Sequence, residues 1–391
     1  MRKVCAVTSS RADYGIIKPL LTKLDNYEGI SLSIIVTGMH LCPEFGYTYK
    51  EIESDGFVIK KKIDIQLSTD SELGMSKTMG MALICFSDFF AEEQPDLVIV
   101  LGDRFEIAAV CCAAVNQRLP IAHLYGGELT EGAVDDCYRH AITKMSSLHF
   151  VSCEPYRRRV IQLGEDPAMV HNVGAMGVEN ILSLPEYPLL ELEKDLDFPM
   201  CDRPYAVVTF HPVTTEKDLG LWQLAELMKA LDEISMDFLI TKANSDAGGR
   251  TINRLWDEYC EERQNCHLVT SLGSSRYITA LKNAHLIIGN SSSGILEGPA
   301  CKIPTIDIGD RQKGRIAAES VIHCKASRKD IVAAIDRALL QSFRESAVRT
   351  VNPYGNGDAS AKIMEAIKAY FTHKNTCRAK KFYDVEFDCG Q

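Results

Sequence analysis

The chain has 391 residues, 46% of them hydrophobic and 25% charged, with a formal net charge of −10 at pH 7. That length is too great for one ordinary core and natural for two domains of roughly 150–200 residues, while no apolar run approaches the roughly 20 residues of a membrane span. The acidic balance argues against nucleic acid as a partner, and the short apolar run in the opening MRKVCAVTSSRADYG is no core of a secretory signal, so the sequence reads as a cytoplasmic protein.

Short apolar runs alternate with longer amphipathic ones from end to end, the pattern of parallel α/β construction. In the first half, strands are expected at 3–9, 32–38, 97–102, 120–125, 148–152 and 169–173, with helices between them, among them 76–93 and 105–118. Helix 76–93 is apolar on more than one face (Met79, Met81, Leu83, Ile84, Phe86, Phe89, Phe90), which reads first as deep burial and second as a face shared with another copy. A proline- and glutamate-rich connection at 184–204 interrupts the pattern, and the linker is placed at 176–190. The second half repeats the scheme, with strands expected at 205–212, 237–244, 267–272, 285–290 and 303–309 and helices at 220–234, 275–284, 328–340 and 358–371. The implied architecture is two Rossmann-like domains, 1–180 and 190–365, with a helix end and tail at 366–391, and with ligands at the carboxyl ends of the strands. Most of the 14 cysteines lie inside apolar segments and no C-x-x-C pair exists, which argues against a zinc ribbon or thioredoxin chemistry.

Seven polar clusters follow apolar runs: TSSRADYG from Thr8, GDRFE from Gly102, YGGELTEGAVDDCYRH from Tyr125, HPVTTEKD from His211, NSDAGG from Asn244, GNSSSGILEG from Gly289 and GDRQKGR from Gly309. Any single one fits a turn or a helix cap. As a set rich in Arg and His they point to an anionic ligand, met by a local positive cluster because the protein as a whole is acidic. No G-x-G-x-x-G follows the first strand and no Walker-type loop exists, so a diphosphate would be held by helix N-termini together with Arg and His. Arg11, His211 and Arg311 are placed for that, Ser291 and Ser292 would open a helix at 293–301, and Glu297 one turn further suits ribose hydroxyls.

Taken together, TSSRADYG, GDRFE, GGE followed by DDCYRHAITK, FHPVTT, GNSSSGILE and GDRQKGR make the chain resemble the hydrolysing UDP-N-acetylglucosamine 2-epimerases of sialic-acid biosynthesis over essentially its whole length. The resemblance implies a GT-B fold with an interdomain active-site cleft, a homodimer or homotetramer, and no cofactor or metal ion. It implies a UDP-activated 2-acetamido sugar and water as substrates, and UDP with the C2-inverted free sugar, N-acetylmannosamine in the type case, as products. Residue by residue it assigns Arg11, His211, Asn244, Ser291, Ser292, Glu297 and Arg311 to UDP, and adds Ala12, Arg104 and Leu272 to the substrate contacts. Asp103, Glu128, Asp135, Asp136, Arg139 and His211 are the catalytic candidates. Where relatives often carry Glu or His directly before Gly-Gly, this chain has Tyr125, so proton transfer there would pass to Glu128 or Asp103.

The chemistry explains the need for several carboxylates. The C2 proton becomes acidic only as UDP departs from C1, giving a glycal after its removal; hydration then needs a proton delivered to the opposite face of C2, which one residue cannot do alone. Asp135 and Arg139 stand at i, i+4 and share a helix face. The Asp-Leu-Asp at 195–197 lies in the linker and is not read as a metal site. Alternatives are the same chemistry on a UDP- or GDP-linked 2,4-diacetamido-2,4,6-trideoxyhexose of the legionaminic-acid route, a non-hydrolysing epimerase, a glycosyltransferase, or a non-catalytic nucleotide-sugar sensor. The density of carboxylates between 103 and 136 argues for catalysis over mere binding.

Overall fold

Aliphatic and β-branched runs too short for helices become strands buried on both faces, as parallel sheets demand. The computed structural model describes all residues except 44–45, 66–71, 130–133, 214–215, 217, 244–248, 271, 373–379 and 387–391. Two units result, Met1–Asn180 with Gly357–Gln391, and Ile181–Asn356.

The first unit holds β1 (Arg2–Thr8), β2 (Ile30–Thr37), β3 (Ile59–Ile63), β4 (Leu97–Leu101), β5 (Ile121–Leu124), β6 (Leu148–Val151) and β7 (Val170–Asn172). They form a seven-stranded sheet in the order β3-β2-β1-β4-β5-β6-β7, parallel throughout. The second holds β8 (Tyr205–Thr209), β9 (Asp237–Thr241), β10 (Cys266–Val269), β11 (Leu286–Gly289), β12 (Thr305–Ile308) and β13 (Val321–Cys324). Their order, β10-β9-β8-β11-β12-β13, is again parallel throughout. Each sheet reverses its winding beside its first strand, between β1 and β4 and between β8 and β11. These switch points are where an α/β sheet opens a ligand crevice at its carboxyl end.

Side-chain alternation sends successive strand residues to opposite faces, and a helical layer covers each. In the first unit Val4 and Ala6 meet Leu20 and Leu24 of helix Arg11–Asp25. Cys5 and Val7 face Phe86 and Phe90 of helix Glu72–Glu93 and Val110 of helix Phe105–Asn116. In the second unit Ala206 and Val208 pack with Leu224, Leu227 and Trp256, and Val207 and Ile287 with Ile278 and Leu281. Among the described residues no helix is long and apolar enough to cross a membrane.

Four sequence expectations are revised. Strands β3 and β13 were not anticipated: both are sheet edges, and β3 reads Ile-Lys-Lys-Lys-Ile, with its lysines exposed. The stretch read as linker opens with helix Met176–Ser183, whose Glu179 accepts hydrogen bonds from the Ser360 backbone (2.6 Å) and hydroxyl, and a second helix, Leu189–Leu196, buries Leu192 in the second unit's core. Helix Ala359–Thr372, which follows the second unit in sequence, lays Ile363 and Ile367 into the core of the first. Helix Glu72–Glu93 is not buried all round: Ala82, Phe86 and Phe90 are inside, while Leu73 and Ile84 are 64% and 60% exposed.

Candidate active site

At the second unit's switch point the ends of β8 and β11 nearly touch. Gly289 takes φ 142°, and a Cβ there would stand 1.9 Å from the Thr209 carbonyl oxygen, so only glycine permits the approach. The next residue, Asn290, is completely buried. Its side-chain oxygen accepts the His211 N–H (2.7 Å) and its amide donates to the His211 carbonyl (2.8 Å). Its own carbonyl accepts from the Arg311 guanidinium (3.0 Å) and the Gln312 amide (2.9 Å). One buried asparagine thus fixes both, His211 through its side-chain amide and Arg311 through its backbone carbonyl. Asn290 was quoted in the sequence but not singled out; the available signal was a polar amide at the end of an apolar strand, which must find partners when buried.

Helix Ser292–Ala300 starts directly after this junction. Ser291 caps it by accepting the Ser293 N–H (3.3 Å), and Ser292 is its first residue, so the positive end of the helix dipole is presented beside His211 and Arg311. Ser293 meets the Tyr277 hydroxyl at 2.6 Å and donates to the Glu297 carboxylate. Burial raises the Glu297 carboxyl pKa, the Ser293 hydrogen bond opposing it. Leu272 packs in the core with Ile278, just before helix Gly273–Asn283, and Asn244 lies outside the described residues.

In the first unit the centre is Arg139, on helix Val134–Met145 and 5% exposed. It binds the carboxylate of Asp103, just past β4, together with Asp136 (2.9 Å) and the Glu128 carbonyl (3.1 Å). The i, i+3 neighbour Asp136, rather than the i, i+4 neighbour Asp135, is therefore the intrahelical partner of Arg139. Burial first, then the charge of Asp103, raises the Asp135 carboxyl pKa against the pull of Arg104 and Arg139. Arg104 pairs with Glu106, and the Glu128 carboxylate accepts the Ser152 hydroxyl (3.1 Å). His123, which burial holds at about 3 and so neutral, bridges the Gly102 carbonyl (2.8 Å) and the Thr143 hydroxyl (3.1 Å).

Asp13 and Glu106 were missed in the sequence although both stand in quoted motifs. Asp13 accepts the Ser9 hydroxyl (3.0 Å), lies in the field of Arg104 and Glu106, and has its pKa raised by burial. Arg11 and Ala12 are exposed at the start of the same helix, Arg11 pairing with Glu51 (3.1 Å). Tyr125 adopts φ 67°, and its hydroxyl accepts the Gly177 N–H (3.1 Å); burial drives its pKa further up, so it is no proton shuttle near neutrality. Next to it, Gly127 has φ 80° and its Cβ position lies 2.5 Å from the Tyr156 carbonyl oxygen. Asp195 in the former linker binds Tyr187 (2.7 Å) and Arg276 (2.8 Å), a surface arrangement.

Two Rossmann-type units, one presenting a helix N-terminus with Arg and His, the other a carboxylate cluster around a buried Arg, are the parts from which GT-B enzymes of nucleotide sugars are built. The family model for UDP-N-acetylglucosamine 2-epimerase matches residues 22–368. The chain is 41% identical over 347 residues (88% of this chain, 89% of the relative) to the hydrolysing GDP/UDP-N,N'-diacetylbacillosamine 2-epimerase of Campylobacter jejuni. It is 40% identical over 387 residues, 98% of each chain, to polysialic acid biosynthesis protein P7 of Escherichia coli. Its fold matches the Neisseria meningitidis UDP-GlcNAc 2-epimerase structure bound to UDP-GlcNAc with a TM-score of 0.76 at 16% identity, covering 94% of this chain and 100% of that one. The chain belongs to the UDP-N-acetylglucosamine 2-epimerase family, in its hydrolysing branch.

Proposed function

We propose that the protein converts UDP-N-acetylglucosamine and water to UDP and N-acetylmannosamine, by elimination of UDP to 2-acetamidoglucal followed by hydration. The observation that carries this reading is the gathering of Asp103, Asp136 and the Glu128 backbone on Arg139, with Asp135 beside them. His211, Arg311 and the helix end at Ser291 and Ser292 take the diphosphate and stabilise its charge as it leaves, a preorganised electrostatic contribution. Glu297 takes the ribose, with Arg11, Ala12, Arg104, Asn244 and Leu272 completing the substrate contacts. Asp103, paired with Arg139, suits removal of the C2 proton. Asp135, whose carboxyl pKa is raised by burial and by the charge of Asp103, suits proton delivery in the hydration half, with Glu128 supporting the water.

A second reading keeps the chemistry and changes the sugar to a UDP- or GDP-linked 2,4-diacetamido-2,4,6-trideoxyhexose. The name of the Campylobacter jejuni relative favours it. Incubation with each nucleotide sugar alone, followed by NMR of the products, separates them. Free N-acetylmannosamine from UDP-N-acetylglucosamine supports the first reading. Turnover of the trideoxy donor alone selects the second, a UDP-linked epimer marks the non-hydrolysing reaction, and no product marks a transferase or sensor. The exposed apolar face of helix Glu72–Glu93 supports a homo-oligomer, and the reading places the enzyme in the cytoplasm, where nucleotide sugars are its substrates.

Two outcomes follow from the nucleotide side. Arg311→Ala and His211→Ala each weaken UDP binding by about 1.5–3 kcal/mol, because charge-assisted contacts to phosphate persist in the product. Titration calorimetry giving wild-type UDP affinity in both removes them from the site. For Glu297 the folded-state pKa is raised, so the folded state holds the proton more tightly than the unfolded one. Stability of the ligand-free protein therefore drops as pH rises from the ordinary value of 4.5 through the raised one. Glu297→Gln removes that component, melts higher than wild type at neutral pH, and binds UDP more weakly. A melting temperature with the wild-type pH dependence in this variant contradicts the assignment.

A further inference from the structure

A second charged cluster lies outside the residues assigned above, where residues 380–386 meet the first unit. The Lys380 ammonium donates to the carbonyls of Lys144 (2.5 Å) and Ser146 (2.6 Å) and pairs with Glu165 (2.7 Å). These use all three of its donors. The two carbonyls belong to the C-terminal end of helix Val134–Met145, where backbone oxygens lack intrahelical partners and the dipole favours a cation. Glu165, itself buried, also takes the Lys144 ammonium (2.9 Å) and His149 (2.9 Å). Burial works against its charge, yet these three donors hold its carboxyl down at about 2.

Two further contacts seat the same segment. The Tyr383 N–H donates to the Gly164 carbonyl (3.0 Å). The Phe382 ring lies across Gly164, where a Cβ would come within 2.3 Å of it, and carries the Lys144 ammonium 4.5 Å from its centroid. Gly164 is thus the glycine that makes room for the ring.

We propose that residues 380–383 form a strap that positions helix Val134–Met145, and with it Asp135, Asp136 and Arg139, against Asp103. The inference rests on the reading of those side chains as the reaction machinery. The helix is held from two directions: Arg139 and Thr143 key its middle to the end of β4 through Asp103 and His123, and Lys380 locks its last turn. An α-helix advances about 1.5 Å per residue as a stiff rod, so a displacement at Lys144 is passed on to Asp135. Lys380 and Phe382 act through the helix and are positioning residues.

The test uses the full-length chain as Lys380→Met and Phe382→Ala, with UDP-N-acetylglucosamine and the trideoxy donor. Four quantities are read: kcat, UDP affinity, the glycal released per finished sugar, and hydrogen exchange of the amides at 141–147. The expected result for Lys380→Met is a fall in kcat of about tenfold, the size of loss that a small misplacement of a reacting group produces. UDP affinity stays unchanged, glycal release rises severalfold, and the helix-end amides exchange faster. Phe382→Ala shifts the same quantities less. A lower kcat with wild-type glycal release reports a smaller folded fraction and overturns the positioning role. Faster exchange with wild-type catalysis overturns it too. A wild-type enzyme that forms no free sugar from either donor sinks the functional reading, and the strap's catalytic role with it, before any variant is compared.

Discussion

Arg139→Met reduces turnover below about one hundredth of wild type and destabilises the fold by about 3 kcal/mol, the scale seen when one partner of a buried ion pair is removed. The guanidinium is 7% exposed at its side chain, and it joins Asp103 just past β4, Asp136 on its own helix and the Glu128 carbonyl after β5. Removing it takes the shared cation away from two partly buried carboxylates. Both proton transfers then lose their setting at once. A double variant separates the two effects: adding Asp103→Asn to Arg139→Met restores part of the stability but none of the turnover, read by urea denaturation and product NMR. If the single variant keeps wild-type turnover, Arg139 holds a structural ion network rather than a reaction centre.

Asn290→Ala has the second largest effect. The side chain is fully buried and hydrogen-bonds both the N–H (2.7 Å) and the carbonyl (2.8 Å) of His211. Alanine removes both hydrogen bonds, at about 1–3 kcal/mol for each. The loop carrying His211 is released, and UDP affinity falls on the order of a hundredfold as the histidine and the helix end cease to share one geometry. Asn290→Asp is the sharper control: it retains the acceptor for the His211 N–H and loses the donor, and it sets a negative charge next to the proposed diphosphate site. It binds UDP no better than the alanine variant. Calorimetry that finds Asn290→Asp as tight as wild type shows that His211 does not need this clasp.

The sequence made the alternating strands and helices legible because each buried strand is a run of apolar residues bounded by polar turns. Two of the edge strands escape that logic: β3 exposes three lysines on a sheet edge, and β13 is four residues long with His323 half exposed. Candidate site residues stood out in the sequence where a polar cluster broke an apolar run, as at Asp103, Ser291 and Arg311. Asn290 and Asp13 were harder, since their importance lies in which backbone or hydroxyl they touch across the chain, at separations no local pattern encodes. The strap was illegible for the same reason: Lys380 meets carbonyls more than two hundred positions earlier, and one lysine in a polar tail has no signature. Arg139 pairs with Asp136 within its helix while also binding Asp103, a contact that helix spacing alone does not encode.

The central claim is that UDP leaves by elimination across C1 and C2 and that water then adds to the glycal. Turnover in D2O tests it most directly, with the released sugar examined by NMR at C2. The account predicts one deuterium at C2 in every finished molecule, because elimination removes the original hydrogen and hydration supplies another from solvent. A free sugar that retains its original C2 hydrogen contradicts the account, since inversion or simple hydrolysis would then have proceeded without opening the C2–H bond to solvent.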